Sequence, residues 1–242
     1  MEIGFYSHVY RNLRATQGCL ESIRKFYPSN PIVISCDGGE DYSYLCTRYN
    51  ATYFYNKKHL GYPTQPYGFR VDDALEWLDR MYRAVLQMNT EYFIMMEDDV
   101  LLVKKITIDK NWDMAGQPML YEGQVPLMPE PFLDIIEKYS GVRPKQNYYN
   151  CGGGSIFKTS TFLNNYESIR VFLTKNMDKI QTTIYPTLGW LDCLLCVFFL
   201  LCGKQLNENK RLYNNFPLQR PFKKEVLTPE IEIVHNYKDL YD

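Results

Sequence analysis

The sequence predicts a single-domain α/β protein with an open, mostly parallel sheet flanked by helices. Three observations carry this prediction. The first hundred residues alternate short apolar runs with segments of helical periodicity. Acidic residues directly follow two of those runs, at the sheet edge where α/β proteins bind ligands. The length of 242 residues and the 45% share of hydrophobic residues are typical of a globular domain.

Strands and helices alternate at the start of the chain. Strands are predicted at 3–7, 31–36 and 51–55, and helices at 12–26 and 41–49. The segment 12–26 has apolar residues at near-helical spacing and is followed by a proline, which is typical of a helix end. This order is the start of a mostly parallel sheet.

A long amphipathic helix and a buried strand come next. Residues 71–88 place their apolar side chains on one helical face, and the apolar run 92–96 has the length of a buried strand. Beyond residue 105 the pattern loosens. There we expect helices at 131–140, 160–177 and 191–202, and short strands at 155–157 and 230–234.

The composition argues against several classes of protein. The net charge is −1 and the chain has no cluster of Lys and Arg, which argues against a basic surface that binds nucleic acid. The longest apolar run, 191–202, is too short to cross a bilayer, and the N-terminus lacks a signal-peptide pattern. Seven scattered cysteines, mostly in apolar runs, predict buried, reduced thiols, with the Cys193-x-x-Cys196 pair in a core. We therefore expect a cytoplasmic protein without a transmembrane segment.

Three consecutive acids, Glu97-Asp98-Asp99, follow the strand at 92–96. Their carboxylates repel one another unless a positive charge lies among them. A divalent cation is one source of that charge, because hard cations take oxygen ligands. A solvated acidic turn, or a helix N-terminus stabilised by its dipole, is the alternative.

Other candidate residues stand at comparable places. Asp37 ends the second strand and precedes two glycines, and the glycine-rich run 152–155 leads into a short strand. Trp190 and Asp192 open the apolar helix, and His235 follows the last predicted strand.

In this order, the four motifs around Asp37, Glu97–Asp99, Gly152–Ser155 and Trp190–Asp192 resemble the GT-A fold nucleotide-sugar glycosyltransferases, particularly the inverting family-two type. The resemblance covers roughly residues 1–200, and the absence of an anchor is typical of a viral or microbial soluble enzyme. It implies a nucleotide-binding half, 1–105, and an acceptor-binding half, 106–242. It also implies transfer of a sugar from a nucleoside diphosphate donor, most simply UDP-linked, to a hydroxyl of a glycan or glycoconjugate.

The resemblance implies that Asp37 contacts the nucleobase and that His8 and Arg70 contact the nucleotide. It places Glu97 at the ribose or at a metal-bound water, with Asp98 beside it; the family's first acid is Asp, so Glu97 departs from the pattern. Each residue has a plainer alternative. Asp37 would cap a Gly-Gly turn, His8 would cap a helix, and Arg70 would be a solubilising surface cation.

The same resemblance makes Asp99 and His235 ligands of Mn²⁺ or Mg²⁺. This metal would act as a Lewis acid on the two phosphates of the donor. For His235 the alternative is a structural histidine.

The remaining implied roles concern the acceptor and the sugar. Gly153 and Gly154 would let the backbone approach a sugar, and Trp190 would offer an aromatic platform. Asp192 would be the general base of a single, inverting displacement. The alternatives are a loop that needs positive φ for the glycines, and an acid that stabilises a helix N-terminus for Asp192.

Two other functions remain open at this point. A sugar nucleotidyltransferase would use the same metal-and-nucleotide platform, although Arg11 and Arg14 lack the glycine cluster expected of its triphosphate loop. A non-catalytic nucleotide-sugar binding domain is the other.

Overall fold

The computed structural model describes residues 2–60, 71–118, 127–150, 152–184, 192–214 and 227–235. The strands in these ranges are β1 (Ile3–Val9), β2 (Ile32–Asp37), β3 (Thr52–Asn56), β4 (Tyr92–Met96), β5 (Leu101–Leu102), β6 (Met114–Gly116), β7 (Ile156–Lys158), β8 (Leu206–Glu208), β9 (Leu212–Asn214) and β10 (Ile233–His235). The helices are α1 (Leu13–Phe26), α2 (Ser43–Arg48), α3 (Val71–Met88), α4 (Glu130–Ser140), α5 (Thr159–Ile184) and α6 (Asp192–Leu201).

The described strands form a central sheet in the order β3-β2-β1-β4-β7-β6-β8. β1 pairs in parallel with β2 and β4, and β2 pairs in parallel with β3. β7 runs antiparallel to both β4 and β6. The predicted α/β fold with a mostly parallel central sheet flanked by helices is therefore confirmed. The strand order reverses between β1 and β4, which makes the carboxyl ends of these two strands a topological switch point.

Helices cover both faces of this sheet, and β4 serves both cores. Phe93 and Met95 belong to one core, which includes residues of α3, α4, α5 and α6. Tyr92, Ile94 and Met96 belong to the other core, which includes residues of α1 and α2. A strand buried on both sides reads as a continuous apolar run, and this explains why β4 was predictable at its observed bounds.

Local signals fix several helix ends. Asn12 caps α1, because its side-chain oxygen accepts a hydrogen bond of 3.0 Å from the Ala15 N–H. Gly141 ends α4 with a φ of 74°, in the left-handed conformation typical of a helix end. α6 is apolar on all sides and buried, as expected for a helix inside a core. Cys193 and Cys196 are fully buried in it, so the core interpretation of this pair is confirmed.

Several boundaries differ from the prediction. β1 continues to Val9, so His8 lies inside the strand, and α5 continues to Ile184 instead of ending near 177. β10 begins only at Ile233 and includes His235. β5, β6, β8 and β9 were not predicted, because two or three residues show no periodicity.

A smaller three-stranded sheet, in the order β5-β10-β9, stands beside the central one in the described structure. β10 is antiparallel to β5 and parallel to β9. The cysteines within the described ranges are free thiols. None of the helices in those ranges is long and apolar enough to span a membrane.

Phe157→Ala tests the packing of the central sheet. Phe157 is fully buried in β7, and its ring centroid lies 5.1 Å from that of Phe93 and 5.4 Å from that of Phe199. We expect the free energy of unfolding to fall by about 3–5 kcal/mol, because the truncation leaves a cavity. Urea denaturation measures this. Leu86→Ala, at a side chain that is 48% exposed, is the control and should change stability by less than about 0.5 kcal/mol.

Candidate metal centre at the end of the central strand

The acidic turn Glu97–Asp99 begins where β4 ends. The Val100 N–H donates to the Glu97 carbonyl at 3.2 Å and closes this turn. Asp99 is only 1% exposed, whereas the Glu97 side chain is 28% exposed. The solvated-turn alternative is therefore wrong for Asp99. Its carboxylate lies out of water, where a negative charge is costly unless a positive group or a cation compensates it.

His235 reaches this turn through the pairing of β10 with β5. Ile233 lies opposite Leu102 and Val234 opposite Leu101. Continuing this antiparallel register places His235 opposite Val100, next to Asp99. Accordingly, His235 Nε2 lies 3.3 Å from Glu97 Oε2 and 3.6 Å from Asp99 Oδ1.

The three side chains have the chemistry and spacing of a metal site. One ligand atom from each of Glu97, Asp99 and His235 lies within 4.8 Å of the other two, and the described residues contain this group of metal-binding type. Neighbouring ligands of an octahedral ion with bonds of ~2.1 Å are about 3 Å apart. The separations of 3.3 and 3.6 Å are close to that value, so a divalent cation would need only small side-chain shifts to bind.

Gly153 forms the wall against which the His235 ring lies. A Cβ on Gly153 would be 2.5 Å from Nε2, 2.7 Å from Cε1 and 2.9 Å from Cδ2 of that ring. These three distances are nearly equal, which places the added carbon over the ring face rather than in the ring plane. The imidazole therefore stacks flush on the backbone of Gly153, and only glycine leaves it room.

Gly154 holds the same segment against the end of β4. Its N–H donates to the Met95 carbonyl at 2.8 Å, and its φ is +79°. A Cβ there would meet Leu212 of β9 at 2.7 Å and Ile233 of β10 at 3.1 Å. The positive-φ alternative is thus observed at Gly154. The sugar contacts implied for both glycines stay a prediction.

Asp98 occupies the middle of the turn and is partly exposed. It is not one of the three clustered side chains. Burial raises the pKa of the Cys19 thiol in α1, and the charges of Asp98 and Asp99 raise it further. The acidic turn therefore acts on groups of α1 as well as on His235, and Cys19 remains an uncharged thiol.

Contacts on Glu232 hold β10 in its place. The Glu232 carboxylate accepts hydrogen bonds of 2.7 Å from both the N–H and the hydroxyl of Thr107. Arg211 lies 3.6 Å from the same carboxylate, and the Lys104 ammonium donates to the Pro229 carbonyl. These contacts tie the segment that carries His235 to the chain that follows β5.

Asp37, at the end of β2, is the centre of a second polar cluster and is 1% exposed. Its carboxylate accepts a bond of 2.7 Å from Arg80 and bonds of 2.7 and 2.9 Å from the Leu60 N–H. His59 Nδ1 lies 2.6 Å from Oδ2 of the same carboxylate. These partners belong to α3 and to the segment after β3, so Asp37 fastens three elements together. Its contact with a nucleobase stays a prediction.

His8 faces this second cluster from β1. Its Nε2 lies 3.8 Å from Asp37 Oδ2, and its ring meets that of Trp77 edge-on at 6.4 Å. The helix-cap alternative for His8 is wrong, because Asn12 caps α1. Its nucleotide contact stays a prediction.

The sequence analysis did not identify His59 or Arg80 as members of a polar cluster. It also did not predict that Gly153 packs against the His235 ring. A histidine three residues past a strand end was the available signal for His59. Among the predicted site residues, Arg70 and Trp190 lie outside the described residues. Asp192 is the first residue of α6, and its side chain lies outside the description.

No protein-family model matches the chain, and no curated protein matches it. Similar solved structures include the crystal structure of TarS from S. aureus, at 17% identity and a TM-score of 0.40, over 68% of this chain and 30% of TarS. They also include residues 1–349 of the same protein in complex with UDP, at 16% identity and a TM-score of 0.41, over 69% of this chain and 49% of that one. The chain thus spans less than half the length of these proteins.

Gly153→Ala tests the contact between this backbone and the His235 ring. No positive φ strains the substitution at Gly153, so the contact with the imidazole is the expected source of any cost. We expect a loss of about 1–3 kcal/mol of stability, as for overpacking elsewhere. The same substitution in a His235→Ala background should cost almost nothing, and urea denaturation of the four proteins measures the difference. An equal cost in both backgrounds would contradict the contact.

Proposed function

We propose that this protein is a metal-dependent glycosyltransferase. It would transfer a sugar from a nucleoside diphosphate donor, with UDP as the nucleotide, to a hydroxyl of a glycan or glycoconjugate. The observation that supports this most is the cluster of Glu97, Asp99 and His235. It lies at the carboxyl end of β4, at the switch point of the sheet, where α/β proteins bind nucleotides.

The donor set favours Mn²⁺ over Mg²⁺. Carboxylates suit either ion, but an imidazole ligand suits a first-row transition metal better. When bound, the cation would supply Lewis-acid stabilisation of the departing diphosphate. Asp99 and His235, both buried, would hold it. Glu97 is exposed enough to contact it directly or through a water molecule.

The second cluster lies at a suitable distance for the other end of a nucleotide. β2 is separated from β4 by β1 alone, so their ends are about 10 Å apart at a strand spacing of ~4.8 Å. A nucleoside diphosphate bound to a cation at β4 would extend its base past β1 toward β2. The cluster around Asp37, with His8 beside it, would then lie at the base end, and Asp98 and Arg70 would contact the donor.

For the chemical step we propose Asp192 as general base in a single, inverting displacement. It begins α6, where the helix N-terminus stabilises a carboxylate in its charged form. The charged carboxylate would take the proton of the acceptor hydroxyl as that oxygen attacks the anomeric carbon. Trp190, Gly153 and Gly154 would line the sugar and acceptor side of the site.

A thermal-shift experiment tests the donor site. UDP, GDP and CDP are each added with Mn²⁺, with Mg²⁺ or with a chelator. We expect UDP with Mn²⁺ to stabilise the protein, by about 2.7 kcal/mol at a hundredfold excess over the dissociation constant. Asp99→Asn should abolish the shift, because it removes a charged ligand.

Glu167→Gln is the matched control for this experiment, since Glu167 is an exposed acid on α5. It should leave the shift unchanged. Equal shifts in wild type and Asp99→Asn would contradict the metal site, and no shift with any nucleotide would contradict the proposed function.

Asp192→Asn tests the chemical step. Turnover should fall by about 10²–10⁴, the usual contribution of a general base, while the dissociation constants for UDP and Mn²⁺ stay unchanged. Single-turnover kinetics and calorimetry separate the two. A product with retained anomeric configuration, observed by NMR, would rule out the role of Asp192.

A further inference from the structure

The Asp37 carboxylate is already engaged within the protein. One oxygen accepts from Arg80 and from the Leu60 N–H, and the other lies close to the same N–H and to His59 Nδ1. The side chain is 1% exposed. A ligand would have to break these contacts to reach it. The residue that ends β2 is thus placed to orient its neighbours rather than to contact a ligand itself.

Arg80 holds the Asp37 carboxylate in place through a buried ion pair. Its side chain is 1% exposed, donates to Asp37 Oδ1 at 2.7 Å and to the Lys58 carbonyl at 2.9 Å, and forms an ion pair with Glu76. Burying an ion pair contributes little net stability, because desolvation offsets the attraction. A rigid buried pair does, however, define the position of any group that is hydrogen-bonded to it.

His59 is that group, and it is the most exposed of the side chains that contact the Asp37 carboxylate. Its side chain is 38% exposed. Its Nδ1 lies 2.6 Å from the Asp37 carboxylate and 3.1 Å from the Asp37 carbonyl. Both oxygens can only accept, so Nδ1 carries the hydrogen. In the neutral imidazole Nε2 then becomes a hydrogen-bond acceptor.

Stacking holds the plane of this ring. The Tyr10 ring lies parallel to it, with the centroids 3.8 Å apart and the planes 12° apart, and the Arg11 guanidinium covers Tyr10 at 4.7 Å. Two glycines allow the loops to meet so closely. A Cβ on Gly39 would overlap the Tyr10 carbonyl, and a Cβ on Gly38 would lie 2.7 Å from the Lys57 carbonyl.

We propose that His59 is the residue that selects the nucleobase, by accepting the ring N–H of uracil on Nε2. This inference rests on the proposed function and refines its donor site. Uracil carries a hydrogen on its N3 atom, whereas cytosine of the same shape presents a lone pair there. The fixed tautomer therefore favours UDP over CDP, and Asp37 and Arg80 act as positioning residues for His59.

Isothermal titration calorimetry with UDP and CDP in the presence of Mn²⁺ tests this proposal. For wild type we expect UDP to bind at least about tenfold tighter than CDP, the effect of one well-formed against one repelled hydrogen bond. His59→Gln should bring the two dissociation constants within about twofold, because a rotatable amide can either accept or donate. Mn²⁺ binding without nucleotide should not change.

Lys57→Ala is the matched control, as an exposed side chain of the same segment. It should leave the UDP-to-CDP ratio unchanged even if both affinities fall. If wild type binds neither nucleotide, the proposed function and this inference both fail. If wild type prefers UDP in a manner that needs Mn²⁺ and His59→Gln keeps the same ratio, only the assignment of His59 fails.

Discussion

The burial of the Asp99 carboxylate at the end of β4 is the constraint on which the candidate site depends. A carboxylate removed from water costs several kcal/mol unless its charge is compensated. Glu97, two residues earlier, adds a second negative charge. The His235 ring reduces the repulsion between the two carboxylates when its Nε2 donates a hydrogen bond to one of them. A divalent cation between the three side chains would compensate both negative charges. Metal binding of this kind would also contribute to the stability of the fold.

His235 is far from the acidic turn in sequence, so the site forms only because the C-terminal part of the chain comes back to pair with β5. The return relies on a three-residue strand, β10, between β5 and β9. So short a strand has little stability of its own, and the contacts of Glu232 with Thr107 and Arg211 help to hold it in place. The candidate site therefore takes its two acids from residues 1–105 and its imidazole from residues 106–242.

The sequence was sufficient for the regular part of the fold. β4 and α3 were predicted at their observed bounds. β4 is buried on both faces and therefore appears as a continuous apolar run. α3 is buried on one face and therefore shows apolar residues at helical spacing. Asp37, Asp99 and His235 were singled out as polar residues that follow such runs, and the roles that the resemblance gives them stay predictions. β5, β6, β8 and β9 could not be predicted, since two or three residues carry no period. Arg80 could not be either, because a charged residue on the buried side of α3 is visible only once Asp37 faces it.

The glycines also show that a sequence pattern cannot identify a tertiary contact. Gly153 and Gly154 were identified as residues that let a group approach the backbone closely, and in the described structure groups of the chain itself do so. The His235 ring packs on Gly153, and Leu212 and Ile233 pack on Gly154. A pattern of glycines predicts close approach without naming the partner, since the partner is set by tertiary structure.

The two clusters at the carboxyl edge of the sheet differ in how their charges are compensated. At β2 the negative charge of Asp37 faces the positive charge of Arg80, Glu76 faces both Arg80 and Lys58, and Asp73 also faces Lys58, so these charges are paired within the protein. Such a cluster is suited to hold an imidazole in one orientation. At β4 two carboxylates meet an imidazole that can act as a neutral ligand, and their combined charge of −2 matches a divalent cation. One edge of the sheet thus carries a hydrogen-bonded cluster and the candidate cation site, about 10 Å apart at the usual strand spacing. This is the polarity that a nucleoside diphosphate presents, with a base that is read by hydrogen bonds and phosphates that require positive charge.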